Sequence, residues 1–419
     1  MKLYLLSIPL TKGTFKRLLP ALATAALALT LAPAAHAQSS GNSTGWMSSL
    51  GSSNGELSSG LTQGLSSGNL SSAGSSTPEV HQELSRNYGS SLAAIDTTFG
   101  ILGLLGDNST VLTDMWKSEQ DAYPFPIDDS ITTAELVSRS ATNEPGRERW
   151  IVSSPSMGRN VEADVLVGEG GPVVYFLEGI DSPKTSNWIK GGYAQTVFSD
   201  TDATVVIPAQ GAGSMWQDWD NDDPVLGRHQ WDTFLTEELA PVVEEKVSHN
   251  GKRGLIGLSM GASGAVMMAN NNPGFFGGVA GISGCYSTTD SFGAGTVKLT
   301  VGNLGGDPNN MWSAPEAWER NDVVLNPEGL RGTQLYLSAA NGEITDEEVA
   351  YYADKELTDQ ITGSLLEAGS RHCTENLSAA LTKSGIEHTT DYLDAGAHGW
   401  PMFGPQLQPA WDGIKSALQ

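Results

Sequence analysis

Gly257-Leu258-Ser259-Met260-Gly261 is the stretch whose reading decides the fold. The apolar run Gly254-Leu255-Ile256 precedes it, and the small residues Ala262, Ser263, Gly264, Ala265 and Val266 follow. A Gly-x-Ser-x-Gly run between a buried strand and a thin helix holds its serine on a sharp turn above the edge of a sheet. Gly257 and Gly261 lack a Cβ, so the turn can close and the helix can approach the strand. Ser259 is therefore the candidate nucleophile, and the helix N-terminus beneath it favours developing negative charge. A chain with 49 glycines can match such a pattern by chance. The two flanks are what set this match apart from a Gly/Ser loop.

Working outward, strand-like runs at 148–153, 161–167, 172–177, 203–208, 254–258, 277–283 and 334–339 alternate with helical patterns, notably 231–248 and 262–271. An antiparallel start followed by alternating strand and helix predicts a mostly parallel central sheet with helices on both faces. With the serine turn, this is an α/β-hydrolase fold. Chemistry in such sheets collects beyond the carboxyl ends of the strands, where the Ser259 turn and the loops after Leu177 and Ala339 would open together.

A serine nucleophile needs a base, and the base needs an orienting carboxylate. In this fold the chain order is Ser, acid, His. Of the seven histidines, His398 is the last and follows an apparent strand near 389–393, in Asp394-Ala395-Gly396-Ala397-His398-Gly399-Trp400. Histidines 36, 81 and 229 precede Ser259, His249 ends a helix, and His372 and His388 stand in settings unsuited to a base. For the acid, position after a strand favours Glu343 or Asp346, and spacing alone does not separate these from Glu367. The oxyanion donors are expected from the backbone N–H of Met260 and from the Leu177-Glu178-Gly179-Ile180 turn.

Composition bounds the rest. Lys12, Lys16 and Arg17, the apolar stretch 18–31 and Ala35-His36-Ala37 read as a secretory signal peptide, residues 1–37, cleaved near Ala37. The apolar run is short for a membrane span. Residues 38–78 are a Ser/Gly-rich tether and 79–127 an N-terminal extension of helical spacing, leaving 128–419 as the catalytic domain. The expected location is secreted, at the cell envelope. A net charge of −25 argues against a nucleic-acid partner, whose phosphates it would repel. No histidine or cysteine spacing suits a metal, and no cofactor is implied. Export makes a single disulfide between the two cysteines, Cys285 and Cys373, the expectation.

Ser154-Pro155-Ser156-Met157-Gly158-Arg159, residues 173–179, residues 233–239 and the serine turn resemble the antigen 85 mycolyltransferase family. The likeness continues through Met311-Trp312, residues 318–322, His398-Gly399-Trp400 and Gly404-Pro405-Gln406-Leu407, in order across 130–419. The long low-complexity N-terminal region is more similar to the corynebacterial branch. The resemblance implies that Glu367, in Leu365-Leu366-Glu367-Ala368, is the triad acid, and that Ile180 and Met260 form the oxyanion hole. It implies a mycolyl glycolipid substrate, an acyl-serine intermediate, and an acceptor hydroxyl on a glycolipid, arabinogalactan or an envelope protein. Glu178, Asp181 and Trp400 are the implied substrate contacts. The family's Leu-Asp-Gly-Leu-Arg loop, which contacts trehalose, reads Leu177-Glu178-Gly179-Ile180-Asp181 here, with an acid in place of the arginine. With Glu367 placed beside His398, the segments bearing Cys285 and Cys373 come into one neighbourhood. A plain carboxylesterase with water as acceptor, or a non-catalytic envelope-binding protein, are the competing readings.

Overall fold

A computed structural model describes residues 123–144, 146–353 and 357–419. The expected signal peptide, the tether and residues 79–122 of the extension lie outside the described residues. The last residues of the extension rest on the body: the Tyr123 hydroxyl accepts the Ala212 N–H at 3.3 Å, and the Arg159 guanidinium covers the Phe125 ring at 4.3 Å.

Apolar runs become strands because a strand covered on both faces can bury every side chain. Among the described residues these are Leu136–Ala141 (β1), Arg147–Ser154 (β2), Arg159–Leu166 (β3), Val173–Leu177 (β4), Thr204–Pro208 (β5), Arg253–Leu258 (β6), Gly278–Ile282 (β7), Gln334–Ala339 (β8) and Thr389–Tyr392 (β9). They form one sheet in the order β1-β2-β3-β5-β4-β6-β7-β8-β9. The pairs β1–β2, β2–β3 and β3–β5 are antiparallel, and from β5 onward every pair is parallel. The α/β-hydrolase architecture expected from the sequence is the one found. β1 was not legible: its burial is confined to its first residue, so it carries no apolar signal. It is an edge strand held through its ladder to β2.

Alternate residues of the central strands feed two cores. Val173, Tyr175, Leu177, Leu255 and Val279 face one side with Ala265, Val266 and Ala269 of helix Met260–Asn271 (α1). Val174, Phe176, Ile256, Leu258 and Ile282 face the other, with Trp188, Phe198 and the apolar side of helix Trp400–Ile414. Between these helices in sequence lie Ser291–Asn303 (α2) and the long Leu357–Lys383 (α3); Trp400–Ile414 is α4. The expected helix 231–248 is continuous but not uniform. Its middle, Phe234–Leu239, is π-helical and runs into Ala240–Lys246, where Pro241 has no N–H to donate.

The sheet order places β4 between β5 and β6, so the chain leaves β4 in one direction and returns to its other side. That reversal opens a crevice at the carboxyl ends of β4 and β6. Leu177 pairs with Gly257 there, and Leu258 with Ile282.

Candidate active site

The serine turn explains its own glycines. A Cβ on Gly257 would stand 2.1 Å from the Gly261 carbonyl oxygen, and one on Gly261 would stand 2.2 Å from the Leu177 oxygen. Neither position admits a side chain. The turn forces Ser259 to φ 54° and ψ −122°, which a non-glycine residue adopts only under strain. Its N–H donates to the Ile282 oxygen at 2.8 Å, fixing the strained residue to the neighbouring strand.

Ser259 Oγ lies 2.7 Å from His398 Nε2, and His398 Nδ1 lies 2.8 Å from Glu367 Oε2. A carboxylate only accepts, so Nδ1–H donates to Glu367 and Nε2 is left to accept the seryl proton. Glu367 is fully buried; its other oxygen accepts the Ser283 hydroxyl at 2.7 Å and the Ala340 N–H at 2.8 Å. Its lone pairs are thus directed by three donors from three different segments. Glu343 and Asp346, which strand-end position favoured, do not reach His398 in this way: Glu343 lies in a loop and its carbonyl accepts the Gly396 N–H at 2.6 Å, and Asp346 opens the helix Asp346–Tyr352. The carboxylate that meets His398 comes instead from the interior of α3, reaching under the end of β8.

These groups open on a cleft whose wall includes Ser259, Met260, His398, Glu178, Ile180, Asp181 and Trp400. Met260 is the first residue of α1, so its N–H has no acceptor within the helix. Gly179 lies close against Ser259: a Cβ there would lie 3.6 Å from Ser259 Cβ and 3.1 Å from Leu258 Cδ1. Ile180 follows it, its carbonyl tied to the Gly213 N–H at 3.0 Å. Away from the serine the cleft is apolar, with Leu258, Phe292, Leu299, Leu366 and Phe403.

Glu178 is buried where the cleft meets β4. Oε1 accepts from the Ser186 hydroxyl and from the Asn187 N–H at 2.8 Å, while Oε2 has no hydrogen-bond partner. Burial, and then the charge of Asp181, push its carboxyl up to about 7. Trp400 stacks on Tyr193 at 5.7 Å with an interplanar angle of 13°, and meets Trp188 edge-on at 5.1 Å. It forms a flat aromatic wall beside the histidine.

Cys285 and Cys373 are joined, with Cα atoms 4.8 Å apart, across 88 positions of sequence. The bond ties the segment after β7, which carries Ser283, to α3, which carries Glu367. Sequence reasoning missed Ser283, a lone serine at a strand end, and Glu348, whose carboxylate accepts the Ala397 N–H at 2.7 Å beside His398. Among the described residues, no group of three or more His, Cys, Asp or Glu side chains is placed to hold a metal ion. No helix among them is long and apolar enough to cross a membrane.

Residues 154–412 match the family described as "Putative esterase". The MPT51/MPB51 antigen of Mycobacterium tuberculosis is 32% identical over 219 residues, covering 51% of this chain and 69% of that protein. The chain belongs to the antigen 85 esterase family. A second relative, the diacylglycerol acyltransferase/mycolyltransferase Ag85A of M. tuberculosis, is 28% identical over 287 residues, 64% of this chain and 80% of its own length. The crystal structure of M. tuberculosis MPT51 superposes with a TM-score of 0.56 at 27% identity, covering 66% of this chain and all of that one. An S-formylglutathione hydrolase from Agrobacterium tumefaciens superposes at 0.51 with 19% identity, covering 68% of this chain and 100% of that one, and shares the fold.

Proposed function

We propose that this protein is a serine acyltransferase that moves a long-chain mycolyl or corynomycolyl group from a glycolipid such as trehalose monomycolate to a hydroxyl acceptor. The observation that carries the reading is the hydrogen-bonded line Ser259, His398, Glu367 at the mouth of an apolar cleft. His398 Nε2 takes the seryl proton as Oγ attacks the donor's ester carbonyl. The oxyanion that forms is met by the N–H groups of Met260 and Ile180, and Glu367 stabilises the imidazolium. His398 then protonates the leaving sugar oxygen. The acceptor hydroxyl enters, His398 removes its proton as the acceptor oxygen attacks the acyl carbonyl, and the same proton passes to Ser259 Oγ as the ester bond to the serine breaks. Glu178, Asp181 and Trp400 face the leaving and entering groups, while the apolar wall takes the acyl chain.

In this reading residues 1–37 direct export, the mature chain works at the cell envelope, and 128–419 is the catalytic unit. The acceptor is a second glycolipid, arabinogalactan or a protein hydroxyl. The purified protein is incubated with trehalose monomycolate and the lipids are resolved. A diacylated sugar or an acylated added acceptor supports transfer. Free acid alone points to a carboxylesterase, the activity that the family description names, and no turnover points to a binding protein.

A further inference from the structure

Glu348 is a buried carboxylate that the proposed reaction does not use, 1% exposed and in the first turn of the helix Asp346–Tyr352. Part of its role is local. The Thr345 hydroxyl accepts the Glu348 N–H at 3.2 Å and Glu348 Oε2 accepts the Thr345 N–H at 2.8 Å, a capping box that satisfies the first turn of the helix. A capping glutamate is ordinarily solvent-facing and needs only that one oxygen. Here the other oxygen leaves the helix and accepts the Ala397 N–H at 2.7 Å, 49 positions further along the chain.

Ala397 directly precedes His398, and what surrounds it is a lace of hydrogen bonds, mostly between backbone groups. Gly342 N–H donates to the Gly396 oxygen at 3.0 Å, Gly396 N–H to the Glu343 oxygen at 2.6 Å, and the Asn341 amide to the Asp394 oxygen. The His398 N–H itself donates to the Gly363 oxygen of α3 at 3.0 Å. Gly396 stands at φ 145°, so its own conformation does little to fix the direction of the residues that follow. Glu348 is the side chain that holds the peptide between Gly396 and His398.

We propose that Glu348 is a positioning residue for the base: its carboxylate fixes the Ala397 peptide, and through it sets the imidazole between Ser259 and Glu367. This rests on the reading of Ser259, His398 and Glu367 as a catalytic triad. An imidazole that serves two proton transfers must hold its place to within a fraction of an ångström, and a displacement of about 1 Å can cost about 100-fold in rate. Substrate contacts are not touched by Glu348, so the effect falls on kcat rather than KM.

The test compares the whole protein carrying Glu348→Ala, Glu348→Asp, Glu348→Gln, Thr345→Ala or Ser259→Ala, using hydrolysis of p-nitrophenyl butyrate, with circular dichroism for folding. Glu348→Ala is expected to lose about 100-fold in kcat with KM changed less than about threefold. Glu348→Asp, which keeps the charge but falls short of Ala397, should lose roughly tenfold, and it serves if the alanine variant does not fold. Glu348→Gln keeps an acceptor oxygen for Ala397 and should recover kcat to within about fivefold of the unmodified protein. Thr345→Ala weakens the same helix cap by about 1 kcal/mol but leaves the Ala397 bond, so its kcat should stay near the original. Folded Glu348→Ala and Glu348→Asp proteins with unchanged kcat would overturn the proposal. So would a Thr345→Ala loss equal to that of Glu348→Ala, since the role would then be support of the helix alone. If Ser259→Ala keeps turning over, the triad reading fails and the positioning role fails with it. If Ser259→Ala is inert while Glu348→Ala is unaffected, only the positioning role falls.

Discussion

Ser283 donates its hydroxyl to Glu367 at 2.7 Å, and that bond joins the end of β7 to the middle of α3 directly behind the histidine. Ser283 itself stands at φ 58°, one strand over from Ser259 at φ 54°. Removing the hydroxyl in Ser283→Ala takes one of three donors from the buried carboxylate, which then has less reason to lie along the His398 Nδ1 direction. The expected result is a loss of roughly 1–3 kcal/mol in stability and a lower kcat, with KM little changed. Denaturant melts and steady-state kinetics on the variant check both.

Ser259→Ala should abolish turnover while leaving the fold intact, because it removes the nucleophile and little volume. A fluorophosphonate probe that labels the unmodified protein should leave this variant unlabelled. Persistent acyl transfer by a well-folded Ser259→Ala protein would count against the assignment.

Glu367→Gln places an amide against the Nδ1 proton and favours the wrong tautomer of His398. A fall in kcat of about 10⁴-fold is the expectation from comparable triads. Glu343→Gln and Asp346→Asn should stay near the original rate. Should either of these prove the crippling change, the acid has been misplaced.

Glu178 gives a pH dependence whose sign can be worked out. Its folded carboxyl is raised to about 7, above the ordinary 4.5, so the native state holds this proton more tightly than the unfolded chain. Stability from this group is undiminished below about pH 4.5, falls as pH rises from there to about 7, and is level beyond, a total of about 3 kcal/mol. Asp232, raised to about 7 mainly by burial, titrates across the same range. The Glu178 share is therefore read as a difference. Thermal melts at pH 5 and pH 8 should show a smaller drop in Tm for Glu178→Gln than for the unmodified protein, and equal drops would refute the assignment.

Reduction of Cys285–Cys373 should lower stability by about 2–4 kcal/mol. It should also slow turnover, because the bond pins the helix that carries Glu367 to the segment that carries Ser283. Melts and rates with and without a phosphine reductant, repeated on a Cys285→Ala, Cys373→Ala protein, separate the bond from reagent effects.

What the sequence could disclose followed how local each feature is. The Ser259 turn was legible because its signal is five contiguous residues, even though only Gly257 answers to a contact within the turn and Gly261 answers to the Leu177 and Glu178 oxygens at the end of β4. His398 followed from chain order and from the strand before it. Glu367 was not legible from spacing, since it projects from the interior of a 27-residue helix rather than from a strand end. Family likeness, not periodicity, singled it out. Ser283 and Glu348 act across 84 and 49 positions, and a lone serine or a helix-capping glutamate looks the same in sequence whether or not it reaches such a partner. β1 escaped because an exposed edge strand has no apolar face to read.

The left-handed posture of Ser259 has a bearing on how this protein can change. A residue at φ 54° and ψ −122° costs the native state about 1–3 kcal/mol, and glycine would relieve most of it. The most economical route to a hardier molecule therefore runs through the loss of its reactive hydroxyl. Selection for thermal endurance without selection for turnover would drift toward an inert, more durable descendant that kept the cleft, the aromatic wall of Trp400 and the disulfide, and so, on the proposed function, could still hold a ligand it no longer transforms.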